Sequence, residues 1–391
     1  MKRLNIAFVC DSITHLTAGS MISTLQFAEQ LKERGHTVII FAAKEKNKRE
    51  ITFYKKMKVY RFPAIMMPGS QGQFLISFPR AAKVKQILLQ EKIDIIHVTD
   101  PTPSALLSIK AAKELKIKIV AHNHAQPENV KLSFSKNKIF NNIFYKYHLW
   151  AYRNANVIIC PSLFAQRLLK ENNFKAKIAV ISNGVDLSQF KPTDSSSFVK
   201  KYQLPKDYKR ILSLGRLEPE KSIHTIIEAM PLILKKNKKV QLWIIGDGSL
   251  KNELAILSRR LGLEKNILFF GKLPHDEVVM PYNACDLFVL PSIAEVEGMV
   301  VLEAMACGKP IIVSDSQRST SSLFVRNNGL LFQLQNPKDL AEKVLQLLNN
   351  DQLRENMGKQ SIAIANEYSL SSSIDKLEKV YYSLVNDYGK K

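Results

Sequence analysis

The sequence predicts an α/β protein of two Rossmann-like, doubly wound domains facing a cleft. Short apolar runs alternate with segments of helical spacing along nearly the whole chain, the pattern of parallel strands joined by crossover helices. The alternation breaks once, near the middle: Asn183-Gly184-Val185-Asp186 and Phe190-Lys191-Pro192 are followed by the polar stretch Asp194-Ser195-Ser196-Ser197. At 391 residues the chain has room for two domains of ordinary size.

Asn5–Cys10 is uninterruptedly apolar after its first residue and reads as a buried strand. Ser20–Arg34 carries apolar residues at helical spacing and is stopped by Gly35. Strands follow at Val38–Ala42, Ile93–Val98, Ile117–Ala121, Val157–Cys160 and Ile178–Ile181. Helices fall between them at Ala81–Gln90, Ala105–Leu115, Ile139–Asn154 and Ala165–Asn172. After the break the series restarts, with strands at Ile211–Leu214, Val240–Ile245, Ile267–Phe270, Leu287–Leu290 and Ile311–Val313. Its helices are Ile223–Lys235, Lys251–Leu261, Asp276–Ala284, Met299–Ala306, Asp339–Asn349 and Gln352–Tyr368. An amphipathic helix, Ser372–Tyr388, closes the chain. The domains are read as 1–188 and 189–371.

Composition is that of a globular protein, 46% apolar and 24% charged. No run approaches the 18 or so apolar residues of a membrane-spanning helix. The basic start, Met1-Lys2-Arg3, resembles a signal peptide, but Asp11 cuts the apolar run short. Cys10, Cys160, Cys285 and Cys307 lie in or beside apolar elements without a C-x-x-C pair and read as buried thiols of a reducing cytosol, not as disulfides or metal ligands.

The formal charge is +22, and it is lopsided: residues 1–190 hold 29 Lys and Arg against 12 Asp and Glu, residues 191–391 hold 28 against 23. Ile51–Gln90 and Asn129–Lys170 contain no acid, and each carries seven cations. A one-sided basic surface favours an anionic partner, nucleic acid or anionic lipid, against the plainer reading of a solvated Lys-rich face. No nucleic-acid-binding motif is present, so no nucleic acid is expected.

Glu295 and Glu303 carry the chemistry. Glu295 falls in the loop at the C-terminal end of the strand Leu287–Leu290, and Glu303 two turns into the next helix, which Gly308 and Pro310 stop. Ligands of open α/β sheets bind at that edge, where helix N-termini hold phosphates. The arrangement suits a nucleotide-sugar: Glu295 for sugar hydroxyls, Glu303 for the ribose, and the amides of Gly298, Met299 and Val300 as an anion nest for the diphosphate. The plain alternative is two solvated acids on a helix face.

This stretch, PSIAEVEGMVVLEAMACGKPII, resembles the E-x7-E signature of the retaining glycosyltransferases of family 4. The resemblance covers nearly the whole chain and implies the type-B two-domain fold, with the C-terminal helix 372–391 crossing back to the first domain. Gly215-Arg216-Leu217-Glu218-Pro219-Glu220-Lys221 matches the family's G-R-x-x-x-x-K motif, which assigns Arg216 and Lys221 to the diphosphate. A leaving nucleoside diphosphate gains negative charge as its bond breaks, so cations belong there. The Gly246-Asp247-Gly248 loop is placed near the nucleotide, and Lys272 and Leu273 under the base. Gly19, in Thr17-Ala18-Gly19-Ser20, stands where many relatives have a double glycine that admits a phosphate or acceptor. His124, in His122-Asn123-His124-Ala125-Gln126-Pro127-Glu128-Asn129, would touch the donor sugar or acceptor hydroxyl, with His122 in reserve. His97 lines the cleft from behind or belongs to the core, and Asp100 is an acceptor contact.

No Asp-x-Asp pair is present, which agrees with a metal-free enzyme requiring no cofactor beyond its nucleotide-sugar substrate. The resemblance implies front-face substitution with retention. The segment Lys131–Arg153 interleaves Phe134, Phe140, Phe144, Tyr145, Tyr147, Trp150 and Tyr152 with Lys and Arg, and Ile65–Phe74 is apolar between cations. Both suit an interfacial surface as well as a packed helix with a basic face. The expected activity is hexose transfer, from UDP-glucose or a similar donor, to a membrane lipid such as diacylglycerol by an enzyme bound to the inner face of the plasma membrane. A polysaccharide, teichoic acid, lipopolysaccharide or protein acceptor is the alternative.

Overall fold

A computed structural model describes residues 2–11, 13, 19–66, 75–124, 143, 146, 147, 149–172, 174, 176–274 and 277–386. The chain divides into two compact units, residues 1–183 with 371–391, and residues 184–370. The break after Asn183, rather than after residue 188, follows from backbone pairing: Val185 donates to Tyr368 O and accepts from Leu370 N, which fastens the start of the second unit to its end.

The first unit opens with β1 (Asn5–Val9), α1 (Gly19–Glu33) and β2 (Thr37–Ala43). A hairpin follows, β3 (Ile51–Tyr54) and β4 (Met57–Phe62), then a second, β5 (Ala64–Met66) and β6 (Leu75–Ser77). Next come α2 (Ala81–Gln90), β7 (Ile95–Val98), α3 (Pro103–Glu114), β8 (Lys118–His122), β9 (Val157–Cys160), α4 (Leu163–Glu171) and β10 (Lys177–Val180). Eight strands form one sheet in the order β10-β9-β8-β7-β1-β2-β4-β3, parallel except for the edge pair β3–β4. Neither hairpin was expected from the sequence. The β3–β4 turn is Lys55-Lys56, both left-handed (φ 43° and 64°), so it carries none of the Gly or Asn that announces such a turn. Of the expected helix Ile139–Asn154, residues 143, 146, 147 and 149–154 are described, and it ends in the 3-10 turn Tyr152–Asn154.

The second unit contains α5 (Ser196–Lys201), β11 (Lys209–Leu214), α6 (Ile223–Lys236), β12 (Val240–Ile245), α7 (Lys251–Arg260) and β13 (Ile267–Gly271). It continues with α8 (Val279–Ala284), β14 (Leu287–Leu290), α9 (Met299–Ala306), β15 (Ile311–Asp315), β16 (Gly329–Gln333), α10 (Pro337–Leu348) and α11 (Asp351–Glu367). Its six parallel strands run β13-β12-β11-β14-β15-β16. Alternate residues feed two cores: Leu212, Trp243, Phe288 and Val313 on one face, Ile211, Leu242, Val289 and Ile312 on the other. Burial on both faces is why these strands read as continuous apolar runs.

The last helix, α12 (Leu370–Asn386), belongs to the first unit from Ser371 on. Arg34 donates to Asp375, Glu378 and the Ser371 carbonyl, and His36 Nε2 lies 2.8 Å from Glu378. Tyr381 is fully buried, its hydroxyl 2.5 Å from Nδ1 of His97 in β7. The other ring nitrogen of His97 is buried with no partner among the described residues. Tyr381→Phe therefore strips His97 of its one recorded hydrogen bond among the described residues at almost no change in volume. A loss of about 1–3 kcal/mol in urea-unfolding stability is expected; unchanged stability would show that the bond contributes nothing.

Candidate active site

Strand order reverses in the second unit between β11 and β14, which pair side by side through Ile211–Leu287 and Leu212–Phe288. The chain leaving β11 goes on to β12 and β13 on one side, and that leaving β14 to β15 and β16 on the other. A crevice opens at such a switch point, at the C-terminal ends of the strands. The loops lining it are 215–222 and 291–298. Arg216, Lys221, Glu295 and Gly298 all lie in these two loops. A backbone bond, Ile293 N to Glu220 O at 2.7 Å, ties one loop to the other.

The charged groups are paired. Lys221 Nζ lies 2.5 Å from Glu295 Oε1, and Ser292 Oγ donates to the same oxygen at 3.0 Å. Glu295 is itself anchored by backbone, Glu295 N to Arg318 O and Thr320 N to Glu295 O. Arg216 Nη2 lies 2.5 Å from Glu220 Oε1. The sequence reading assigned nothing to Glu220 or Ser292. The i,i+4 spacing of Arg216 and Glu220 hints at their pairing but not at the burial of Glu220, and nothing in the sequence singles out Ser292.

Gly298 starts α9 with φ 81°, and a Cβ there would come within 2.0 Å of Ser321 Oγ, so only glycine fits. The helix behind it presents the amides of Met299 and Val300 at its positive end. Glu303 is half-buried and accepts from the Tyr282 hydroxyl at 2.7 Å. Burial pushes its carboxyl up to about 7, against the opposing effect of the Tyr282 bond.

The Gly246-Asp247-Gly248 loop packs onto the Arg216 loop. Leu217 N donates to Asp247 O, and Glu218 accepts from both Ser249 N and Ser249 Oγ. A Cβ at Gly246 would come within 1.8 Å of Gly215 O, and one at Gly248 within 2.6 Å of Leu217 O, so these glycines admit neighbouring backbone. Lys272 is exposed, and Leu273 packs against the core below β13.

In the first unit the strand order reverses between β1 and β7. Asp11 follows β1 and Asp100 follows β7. Asp11 is buried, accepts from Ser77 Oγ and Ser77 N, and is nonetheless pushed up by burial. Asp100 is pushed up to about 6, by burial first and then by Asp11. The same sheet carries three imidazoles, His97 in β7 and His122 and His124 at the end of β8. His97 stacks on Phe8, His122 lies 5.5 Å from His97, and His124 stacks on His122 at 4.0 Å. His97 is lowered to about 3 and His122 well below its usual value, chiefly by burial, so both are neutral. His97 and His122 are therefore core residues, and His124 is half-buried at the end of the stack. The reserve role expected of His122 is corrected accordingly: its ring lies inside, between Phe27 and His97. Gly19 is exposed and a Cβ there would meet nothing within 4 Å, so the fold itself does not require glycine. Thr17, Ala18 and Ala125–Asn129 lie outside the described residues. Among the described residues no three His, Cys, Asp or Glu side chains cluster as a metal site requires.

Two family models match the chain, Glycosyltransferase Family 4 over residues 18–189 and Glycosyl transferases group 1 over residues 194–363. An alpha-monoglucosyldiacylglycerol synthase of Streptococcus pneumoniae is 26% identical over 99% of this chain and 84% of its own length. An uncharacterized glycosyltransferase of Methanocaldococcus jannaschii is 30% identical over 77% of this chain and 78% of its own. The structure of HepE from Anabaena in complex with UDP and glucose is similar with a TM-score of 0.78 at 22% identity, covering 97% of this chain and 100% of that one. At that identity the likeness speaks for the fold, the type-B arrangement of two α/β domains.

Glu303 makes a prediction that needs no ligand. Between pH 4.5 and about 7 an unfolded chain ionises this carboxyl while the folded one holds its proton, so wild-type stability falls across that window. Glu303→Gln keeps an acceptor for Tyr282 and removes the titration. The melting temperature of the variant relative to wild type should rise from pH 5 to pH 8; a constant difference would show that Glu303 titrates normally.

Proposed function

The chain belongs to glycosyltransferase family 4, and from that premise we propose that it moves a hexose, with retention and without a metal, from a UDP-sugar such as UDP-glucose to a membrane lipid such as diacylglycerol. The observation that carries the donor half is the pairing of two cations and a helix N-terminus at one switch point. Arg216, Lys221 and the Met299 and Val300 amides would bind the diphosphate, and Glu303 the ribose. The 246–248 loop would lie by the nucleotide, with Lys272 and Leu273 under the base. Glu295 is already engaged by Lys221 and Ser292, which suits a group that accepts sugar hydroxyls and not a free nucleophile.

In this reading the bond from the sugar C1 to the diphosphate oxygen breaks and its electron pair leaves with the diphosphate. The acceptor oxygen bonds to C1 on the same face, and its proton passes to the departing phosphate. Arg216 and Lys221 stabilise the charge that grows there. His124 would contact the sugar or the acceptor hydroxyl, and Gly19 would leave room for that group.

The lipid half rests on the relative of that specificity and on the basic first half of the chain. Ile143 and Trp150 are 62% and 52% exposed, beside exposed Lys146 and Arg153. Ile51 and Phe53 are exposed as well, on the hairpin that turns through Lys55 and Lys56, and so are Ile65 and Met66 on the next hairpin. Apolar side chains among cations suit an anionic membrane face. Two aromatics of the expected stripe turn inward: Tyr147 donates its hydroxyl to Pro101 O, and Tyr152 is fully buried and donates to Thr99 O. Phe134, Phe140, Phe144 and Tyr145 lie outside the described residues. No helix among the described residues is long and apolar enough to cross a membrane.

The test is nucleotide release from a panel of UDP- and GDP-sugars with anionic diacylglycerol liposomes, neutral liposomes or none, with and without a chelator. Turnover with anionic liposomes, unaffected by chelation, with the sugar found in the lipid phase and its α-anomeric linkage kept, is the expected result. Glu295→Ala and Lys221→Ala should each lower it by about 10² or more. Turnover indifferent to lipid would move the acceptor to soluble glycans, polymers or proteins, and loss on chelation would refute metal independence.

A further inference from the structure

Glu220 is a buried acid in a site that is expected to bind an anion. It is 1% exposed, in the single 3-10 turn Pro219–Lys221. Ser222 follows in the left-handed conformation (φ 50°), which turns the chain into α6. One carboxylate oxygen meets Arg216 Nη2 at 2.5 Å, and the other is buried with no partner among the described residues. Arg216 has a different situation at its two edges. Nη2 is held by Glu220, no other partner of its guanidinium is recorded among the described residues, and its side chain is 42% exposed. A buried carboxylate with one partner is a costly arrangement, and a well-packed apolar side chain in its place is often as stable or more so. Solubility does not explain an acid that water does not reach.

We propose that Glu220 is the positioning residue for Arg216: it grips one edge of the guanidinium from inside the fold so that the other edge faces the crevice as a pre-set two-pronged donor for a diphosphate. Arginine's planar fork rewards such fixing, because the orientation of the held edge dictates that of the free one. The Ile293 N to Glu220 O bond makes the same residue a tie to the loop of Ser292 and Glu295. Both cations of the site thus meet buried carboxylates, Lys221 that of Glu295 and Arg216 that of Glu220. The identity of the anion rests on the reading of the donor given above; the grip on Arg216 does not.

The experiment is a double-mutant cycle of Glu220→Gln with Arg216→Ala, with circular dichroism on every variant. Glu220→Gln should lower kcat/KM for the nucleotide-sugar about tenfold in the wild-type background and less than twofold when Arg216 is already gone. A second readout uses no donor. Phenylglyoxal labelling of Arg216, followed by peptide mass spectrometry, should be several-fold faster in Glu220→Gln, with labelling of Arg210 unchanged. Equal losses in both backgrounds, or unchanged Arg216 labelling, would overturn the proposal and leave Glu220 a folding residue. If Glu220→Gln does not fold, Glu220→Asp keeps the charge and is read in the same way; failure of both to fold overturns it too. A wild-type enzyme that uses no nucleotide-sugar would refute the donor reading alone, and the labelling would still decide on Glu220.

Discussion

The constraint on which the second unit depends is the reversal of strand order between β11 and β14. Two parallel strands that pair directly but continue to opposite sides cannot cover their shared C-terminal end with a crossover helix. The uncovered edge is where loops 215–222 and 291–298 meet. Every charged group read as catalytic in that unit is on one of those loops, and Glu303 reaches the same region from α9. The glycines serve the same geometry. Gly246 and Gly248 let two loops lie backbone to backbone, and Gly298 lets α9 start against Ser321. The site is a consequence of topology before it is a set of side chains.

The electrostatics follow from how deep that edge lies. Two cations in a crevice with low-dielectric walls would repel each other and pay for lost hydration. Each is instead given a carboxylate, and the two carboxylates are given different surroundings. The Glu295 carboxylate has Lys221 and a serine hydroxyl on it, and its own backbone is held by two further bonds. Glu220 has Arg216 and a second oxygen with nothing recorded against it. Under the donor reading proposed above, the charge of an arriving diphosphate would meet cations already oriented, and cations that had to reorient during the reaction would stabilise it less.

The α/β alternation was legible because parallel strands buried on both faces are uninterrupted apolar runs, as in Ile6–Val9 and Leu287–Leu290. What the sequence concealed is where local signals point the wrong way. The β3–β4 hairpin turns through two lysines, and β3 is half-exposed, so it looked like a basic loop. In β16, Gly329 opens the strand because a Cβ there would come within 2.1 Å of Ile311 O, yet a glycine reads as a break. The polar run before Phe198 reads as a linker, although Phe198 packs on Trp243 and Phe270. In the site, Arg216, Lys221 and Glu295 stand out by spacing and charge. Glu218 and Glu220 do not, because an acid in a charged loop looks solvated, and only the fold tells that Glu220 is inside.

The two units share a topology and differ in chemistry, and that difference bears on the division of labour. The switch point of the first unit carries Asp11 and Asp100, with Asp100 raised by burial and by Asp11, and imidazoles that burial keeps neutral. An acidic, uncharged-histidine edge is a poor seat for a diphosphate and a good one for hydroxyls, which can donate to a carboxylate in either protonation state. Yet this unit holds most of the chain's positive excess. Part of that charge, Lys55 and Lys56 on the β3–β4 turn and Lys146 and Arg153 around Trp150, accompanies exposed apolar side chains. Charge that served the donor would gather at the switch point. Cations beside exposed apolar side chains are what the proposed anionic membrane partner would need, since it offers both a charged face and an apolar interior.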